Sequence, residues 1–506
     1  MKMRVLFVTS EAYPLAKSGG LADVSGALPA ALMRGGIDVR LLLPGYPAAL
    51  RALKDARVEM PLKPLLGIED AALISGHLPN SNVPVWLVNA PSLFSRPGGL
   101  YQDEEGRDWL DNAQRFAFLA HVAAGIASGL MRWRPDVVHA NDWHAGLLPL
   151  LLSLEAAPAP ATVFTIHNLA YQGNFPREIL PALGIPDRVF NPDGIEFYGQ
   201  VSFLKAAIRY SDRLTTVSPT YAKEVLSSEF GCGLDGVLRQ REQDLRGILN
   251  GIDDDIWNPA IDEHLPRPYS VKDIAGKRVC KAELQRECGL EVDPETPVIG
   301  FVSRLAHQKM ADVLLDAMPA IVECGAQFVL VGKGDPGLEA AFERMCEKHP
   351  QNVAIRLGYE EALAHRIQAG ADILLAPARF EPCGLSHLYA LRYGTLPVVR
   401  RTGGLTDTVT DTNAVTLSDR TANGFVFDDP TVSGLLGAIR RALAAHREPL
   451  TWRRLQLEGM AQDYSWHKGA ARYASLYSEM TGMPLSPAAP SSEMMAEEES
   501  ARQLAV

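Results

Sequence analysis

Cysteine is scarce in this chain of 506 residues. Six occur (Cys232, Cys280, Cys288, Cys324, Cys346 and Cys383), and no two form a C-x-x-C pair. That excludes a disulfide scaffold and the common zinc modules, and leaves reduced thiols as the simple reading. Positive charge is also short: 49 Lys and Arg stand against 60 Asp and Glu, a formal net charge of −11. Such a chain is a poor non-specific binder of nucleic acid or of an anionic membrane. Long apolar runs are missing too, since the longest, around residues 145–154, falls short of the ~20 residues that span a bilayer. The N-terminal Met1-Lys2-Met3-Arg4 followed by VLFVTS has the outline of a signal peptide. Its apolar run is too short, however, and passes straight into Ser10-Glu11 without a cleavage site. A buried strand and a cytoplasmic location are the expectation, with neither membrane nor nucleic acid as partner.

What is present is ordinary globular composition, 47% hydrophobic and 22% charged, at a length that allows two large domains or about three smaller ones. Short β-branched or apolar runs alternate with amphipathic helical stretches almost throughout. The runs in the first half are 4–9, 38–43, 85–90, 136–140, 162–167 and 214–218; those in the second half are 297–303, 327–332, 353–358, 372–377, 396–400 and 424–427. Helical patterns over 308–322, 338–347 and 432–445 lie between them. This alternation predicts an α/β protein with parallel sheets covered on both faces. Two such sets predict two doubly wound, Rossmann-like domains, over 1–250 and 251–462, facing a deep cleft. A helix over 463–482 is expected to pack back on the first domain, and 483–506, rich in Pro, Ser, Ala and Glu without periodicity, reads as a disordered tail.

Ligands of open α/β sheets bind beyond the carboxyl ends of the strands, so motifs just after strands matter most. The first strand leads into 14-PLAKSGGLADVSGALPAAL-32. Gly19 and Gly20 stand before a helix whose N-terminal N–H groups favour an anion, with Lys17 just upstream. No G-K-[ST] follows, so this is not a P-loop; the competing reading is a glycine turn with a solvated lysine. After the fourth strand comes 139-HANDWHAG-146. Its His139, Asp142 and His144 do not fit a standard helical zinc pair and have no third His or Cys nearby, which favours a structural His network or a sugar-contacting Asp142. His167 and Asn168 lie at the next strand terminus, where a core histidine and a functional one are about equally plausible from sequence.

In the second half, 303-SRLAHQK-309 places Arg304 and Lys309 near the start of one helix. Two cations there repel each other and the helix dipole unless an anion joins them, and a diphosphate suits an Arg–Lys pair; the bland alternative is two solvated surface cations. The segment 379-RFEPCGLSHLYALRYG-394 brings Glu381 and the backbone of Gly384, Leu385 and Ser386 to another helix start, and 402-TGGLTDTV-409 repeats the glycine-pair theme. Glu381 is read either as a holder of sugar hydroxyls or as a first-turn complement to the dipole. Two decoys are set aside. The stretch 332-GKGDPG-337 matches G-x-G-x-x-G but lacks the acidic residue that a dinucleotide site places about 20 residues on. Asp253 and Asp255 match a metal-binding D-x-D, but sit in a polar turn beside the domain boundary.

Together these segments resemble the bacterial glycogen synthases and plant starch synthases, retaining glucosyltransferases with two Rossmann-like domains (GT-B). The match is carried by 17-KSGGLADVSGALP-29, 137-VVHANDWHAGL-147, 165-TIHNLAYQG-173, 248-ILNGIDDDIWNP-259, 302-VSRLAHQK-309, 379–409 and 424-GFVF-427. The resemblance implies transfer of glucose from ADP-glucose to the 4-hydroxyl at the non-reducing end of an α-1,4-glucan, with no metal or other cofactor. It implies that Lys17, Gly19, Gly20 and Asp23 form a donor-contacting loop, that Asp142 and His167 line the sugar side, and that Asn250 reaches in from the interdomain segment. It further implies that Arg304 and Lys309 neutralise the departing diphosphate, that Glu381 binds glucose hydroxyls, and that Gly384, Leu385 and Ser386 present N–H groups to phosphate. Tyr359 would stack near the adenine, and Tyr101 would face the donor or acceptor site. Met310 departs from the Gly usual after the Q-K pair and bears on donor affinity. A UDP-glucose-dependent relative, a silent glucan-binding protein and a dehydrogenase remain the alternatives; oligomeric state is left open.

Overall fold

A computed structural model describes residues 2–155 and 159–485; most of the expected tail lies outside the described residues. The chain forms two compact units. The first comprises the residues up to Thr216, Val225–Gly251 and the part from Trp466 onward; the second comprises Val217–Glu224 and Ile252–Ser465. A short stretch, Val217–Glu224, thus leaves the first unit and joins the second.

The first unit is built on strands β1 (Arg4–Val8), β2 (Asp38–Pro44), β3 (Lys54–Pro61), β4 (Ala72–His77), β5 (Pro84–Asn89), β6 (Val137–Asn141) and β7 (Ala161–Ile166). It continues with β8 (Asn174–Pro176), β9 (Glu196–Phe197), β10 (Gln200–Ser202), β11 (Arg213–Thr216) and β12 (Leu245–Gly247). Nine strands form one sheet in the order β12-β11-β7-β6-β1-β2-β5-β4-β3, and β8-β10-β9 form a small second sheet. In β1, Val5, Leu6, Phe7 and Val8 are all fully buried. Consecutive burial, rather than alternation, marks a strand covered on both faces.

β4 and β3 run antiparallel to their neighbours and were not among the runs picked from the sequence. Nearly every residue of β3 is exposed, so it has no apolar alternation to read. A polar edge strand of this kind ends the sheet without inviting another chain.

The helix Trp466–Thr481 belongs to the first unit and packs on the helix Gly20–Arg34. It buries Trp466, Tyr473 and Tyr477, and Tyr477 Oη lies 2.7 Å from Nδ1 of His139 in β6.

The second unit carries β13 (Val298–Val302), β14 (Gln327–Gly332), β15 (Val353–Leu357), β16 (Ile373–Ala376), β17 (Leu396–Arg400) and β18 (Phe425–Phe427). Their order is β15-β14-β13-β16-β17-β18, and every pairing is parallel. One face packs Ile299, Phe301, Phe328 and Leu330 with Leu314, Met318 and Ile439. The other packs Val298, Val329, Val331 and Leu374 with Leu284, Leu363 and Ile367. Each such side chain contributes about 1.5–3 kcal/mol when fully buried. Among the described residues no helix is long and apolar enough to cross a membrane.

Candidate active site

In the first unit the candidate groups collect beyond the carboxyl ends of β1, β6 and β7. Asp142 follows β6 with φ +56°, a conformation that turns the chain sharply and that non-glycine residues rarely adopt. Its carboxylate accepts the N–H groups of His167 at 3.0 Å and Asn168 at 3.4 Å. Burial outweighs those bonds and pushes the Asp142 carboxyl up to about 7. His167 Nε2 lies 3.0 Å from Asn141 Oδ1, while Asn141 Nδ2 donates to the carbonyls of Val8 and His139. Asn141 therefore presents its oxygen, so Nε2 of His167 carries the proton. Burial pushes His167 down to about 3 and holds the ring neutral.

His139 and His144 have structural surroundings. His139 lies between Tyr477 Oη and Thr165 Oγ1 at 2.7 and 2.6 Å, so both ring nitrogens are engaged. His144 is stacked on Tyr101 at 4.4 Å and on Trp143 at 4.0 Å. Among the described residues no group of three or more His, Cys, Asp or Glu is arranged to hold a metal ion.

The glycine turn before the first helix contains an internal carboxyl acceptor. Ser18 and Gly19 donate their N–H groups to Glu11 Oε2 at 2.6 and 3.0 Å. Glu11 Oε1 accepts the hydroxyl of Tyr101 at 2.7 Å, and Ser10 Oγ lies 2.7 Å from the same hydroxyl. A buried carboxyl thus holds the loop, with burial raising its pKa. Lys17 Nζ pairs with Asp23 at 3.0 Å, and Gly20 opens the helix that follows. Asn250, at the end of the first unit, is buried with its Oδ1 making no hydrogen bond.

The second unit assembles charges in pairs. Lys309 Nζ forms an ion pair with Glu381, joining loops 72 residues apart. Gln308 strengthens the junction: its carbonyl accepts Arg379 N–H at 2.9 Å, its Nε2 donates to Phe380 O at 3.2 Å, and its Oε1 accepts from Arg304 at 3.2 Å. Met310, which follows Lys309, has φ +50° with its side chain fully buried. Gly384 has φ +77°, and a Cβ there would come within 2.9 Å of His387 Nδ1; glycine is required for the turn that leads through Leu385 to the helix at Ser386. Tyr359 is 62% exposed, its hydroxyl bonded to Glu361.

Sequence reasoning missed the residues that hold these loops. His387 Nε2 lies 2.7 Å from Thr408 Oγ1, and Thr408 donates its own proton to Gly404 O at 2.6 Å, so His387 is the donor. Gly404 N–H donates to Glu381 O at 3.1 Å. Ser218, in the stretch that joins the second unit, donates to Pro382 O at 2.7 Å. Glu224 accepts the N–H of Gly403 at 2.9 Å and the hydroxyl of Thr402 at 3.2 Å. The second glycine pair, like the first, meets a carboxylate of the chain itself. Glu11 carried a usable signal, since it follows the end of β1. Glu224 carried none, standing 179 residues from Gly403.

The decoys are also explained. Asp335 caps the helix Pro336–Lys348 by accepting the N–H groups of Gly337 and Leu338, which occupies the place a pyrophosphate would take. Asp253 accepts the N–H of Asp255 at 3.0 Å and so closes its own turn.

Residues 4–240 match the family model described as starch synthase catalytic domain, and residues 296–445 match glycosyl transferases group 1. A glycogen synthase of Paramagnetospirillum magneticum is 51% identical over 484 residues, covering 95% of this chain and 98% of that protein. The chain belongs to the glycogen synthase family. Another glycogen synthase, from Burkholderia thailandensis, is 51% identical over 94% of the chain and 90% of its own length. Among solved structures, the catalytic domain of starch synthase IV from Arabidopsis thaliana, bound to ADP and acarbose, superposes with a TM-score of 0.88 at 32% identity. That likeness covers 96% of this chain and 100% of the other. A sucrose-phosphate synthase from Thermosynechococcus elongatus, at 17% identity and a TM-score of 0.60, shares the fold. The two α/β units are those of a GT-B glycosyltransferase, and a glycogen synthase is an enzyme of glucosyl transfer.

Proposed function

We infer that the protein is a retaining glucosyltransferase that moves glucose from ADP-glucose to the 4-hydroxyl at the non-reducing end of an α-1,4-glucan, and so lengthens glycogen. Among the site's features, the meeting of Lys309 and Glu381 in one ion pair beside the Gly384–Ser386 turn carries this reading furthest. A cation, a hydroxyl acceptor and a run of backbone N–H groups then stand together, which is what a sugar diphosphate requires.

In this reading Arg304 and Lys309 neutralise the charge that grows on the diphosphate as the C1–oxygen bond breaks, and the N–H groups of Gly384, Leu385 and Ser386 add fixed dipoles. Glu381 holds Lys309 before the donor arrives, and with the donor bound it accepts sugar hydroxyls. The 4-oxygen of the acceptor forms the new bond to C1 on the face the diphosphate leaves, and its proton passes to the departing phosphate oxygen. No carboxylate nucleophile is assigned. His167, held neutral, does not repel the positive charge that develops on the sugar ring. Asp142 and Asn250 Oδ1 are acceptors for sugar hydroxyls. Because Glu11 takes the Ser18 and Gly19 N–H groups, the Lys17–Gly20 loop meets the donor through Lys17, with Asp23 beside it. Tyr359 stacks on the adenine, and Tyr101 braces the loop through Glu11.

The test is nucleotide release from ADP-glucose and UDP-glucose, with and without glycogen, in EDTA. Glycogen-dependent ADP release, with little UDP from UDP-glucose, is expected. A folded protein that releases neither nucleotide ends the reading. Loss of activity in EDTA, restored by manganese, would return Asp253 and Asp255 to consideration.

A further inference from the structure

The second unit buries a cluster of titratable side chains that has no role in the reaction proposed above. The segment after Ile252, where the chain enters this unit, lays Trp257 and Asp262 on the helices Glu361–Gly370 and Ser386–Arg392. Trp257 is stacked between His365 of the first helix, at 3.8 Å and 13°, and Tyr389 of the second, at 3.7 Å and 8°. Asp262 Oδ2 lies 2.7 Å from His365 Nδ1 and accepts the hydroxyl of Tyr393 at 2.5 Å. Its Oδ1 accepts the N–H of His264 at 2.9 Å. An ionised carboxylate only accepts, so Nδ1 of His365 carries a proton.

The other side of the ring faces a second carboxylate. His365 Nε2 is buried without a hydrogen bond, 3.8 Å from Glu361 Oε1, and Glu361 Oε2 accepts the hydroxyl of Tyr359. A line of contacts therefore runs from Asp262 through His365 and Glu361 to Tyr359. His264 meets the His365 ring at 4.9 Å and 65°, Tyr393 Oη lies 3.4 Å from Nδ1, and Cys280 of the helix Gly276–Glu287 lies within electrostatic reach of Asp262. Burial by itself would lower the His365 pKa, but the bonds to Asp262 and Glu361 outweigh it and raise the group above its usual value. Burial would raise Asp262, but the bonds from His365 and Tyr393 hold it below the usual carboxylate value. A buried ion pair adds little net stability over apolar side chains of the same volume, so this choice of residues calls for another reason.

We propose that His365, held by Asp262, is a positioning residue that fixes Glu361 and so presets the Tyr359 ring for the base of the nucleotide donor. The inference rests on the place given to Tyr359 in the proposed function. Tyr359 is 62% exposed, and so open a ring loses rotamer freedom when a base stacks on it. Anchoring its hydroxyl in advance lowers that cost. A protonated His365 holds Glu361 by charge as well as by place, and a neutral one holds it less firmly. The positioning is therefore strongest while His365 keeps its second proton and both carboxyls are ionised. It weakens as pH rises through the raised His365 value.

Asp262→Asn keeps an acceptor for Tyr393 and for the ring but removes the charge that favours a protonated His365. In the full-length protein near neutral pH, its KM for ADP-glucose is expected to rise at least about threefold, while kcat and the KM for glycogen stay within about twofold. Tyr359→Phe keeps the ring and loses the hydroxyl. It should raise the same KM by a similar factor, and the double variant should raise it no further, because both changes break one line of contacts. In the parent this KM should climb between about pH 7 and 9, and in Tyr359→Phe the climb should disappear. A folded Asp262→Asn with the parent's KM overturns the proposal, as do two single effects that multiply in the double variant. If Asp262→Asn does not fold, Tyr359→Phe decides: a pH dependence equal to the parent's overturns the proposal. If the parent releases no ADP from ADP-glucose with glycogen, the reaction reading falls, and calorimetric ADP affinities of the same variants decide the positioning role. A parent that binds no ADP overturns both.

Discussion

Beyond the ends of its strands the first unit buries groups whose charged forms burial disfavours, beside a single Lys17–Asp23 pair at the glycine turn, whereas the second unit gathers its groups in ion pairs. Asp142 is pushed up to about 7 and His167 down to about 3 in the first. Lys309 with Glu381, and Arg379 with Asp312 at 2.8 Å, are paired in the second. The same address on an α/β sheet thus offers two electrostatic surroundings; in the function proposed above, the first receives the sugar and the second the diphosphate. In both units a carboxylate of the chain, Glu11 or Glu224, holds the glycine turn whose N–H groups would otherwise attract an anion.

The largest test of the contrast is on its charged side. Lys309→Ala and Glu381→Ala should each lower turnover at least about a hundredfold, or 2.7 kcal/mol of barrier, measured as glycogen-dependent ADP release. Near-normal turnover in both folded variants would remove the second unit from the chemistry. Next, Glu11→Ala should lower stability by about 2 kcal/mol in urea titration, because Tyr101, Ser18 and Gly19 lose one shared acceptor. The same variant should raise the KM for ADP-glucose as the Lys17 loop loosens; an unchanged KM would separate the loop from donor binding.

The uncharged side makes a prediction about pH. Asp142 binds its proton more tightly in the folded state than in the unfolded chain, so stability from this group is present at low pH and declines as pH rises toward and through about 7. Between pH 5.5 and 8.5 the decline should be about 2 kcal/mol, and Asp142→Asn should abolish that component. A pH profile identical in the two proteins would show that Asp142 is not held protonated. The smallest effect concerns Met310. Met310→Gly relieves the left-handed strain but gives up a buried side chain and adds chain entropy, a net loss of about 1–2 kcal/mol. The KM for ADP-glucose in that variant reports whether the backbone beside Lys309 moves.

Most strands were legible because burial on both faces writes continuous apolar runs such as 327-QFVLVG-332, which is β14 in full. β3 was not, because an exposed edge strand needs no apolar pattern. Lys309, Glu381 and Gly384 were legible because their residue types sit directly after strands. Their bonds were not, because Lys309 and Glu381 meet only when β13 and β16 pair. Glu224 and Ser218 could not have been assigned from sequence, since they lie in a stretch that looks like the first unit and packs in the second.

The sequence by itself determined the α/β class, the strand-end motifs and the family, because hydrophobic period and local turn chemistry act between near neighbours. The tertiary structure alone decided that Glu224 holds the second glycine turn, that His139 is locked by Tyr477 from the far end of the chain, and that Asp142 and His167 lie where burial disfavours their charged forms. Those outcomes depend on burial and on partners as much as 338 residues apart, and neither exists until the chain has folded.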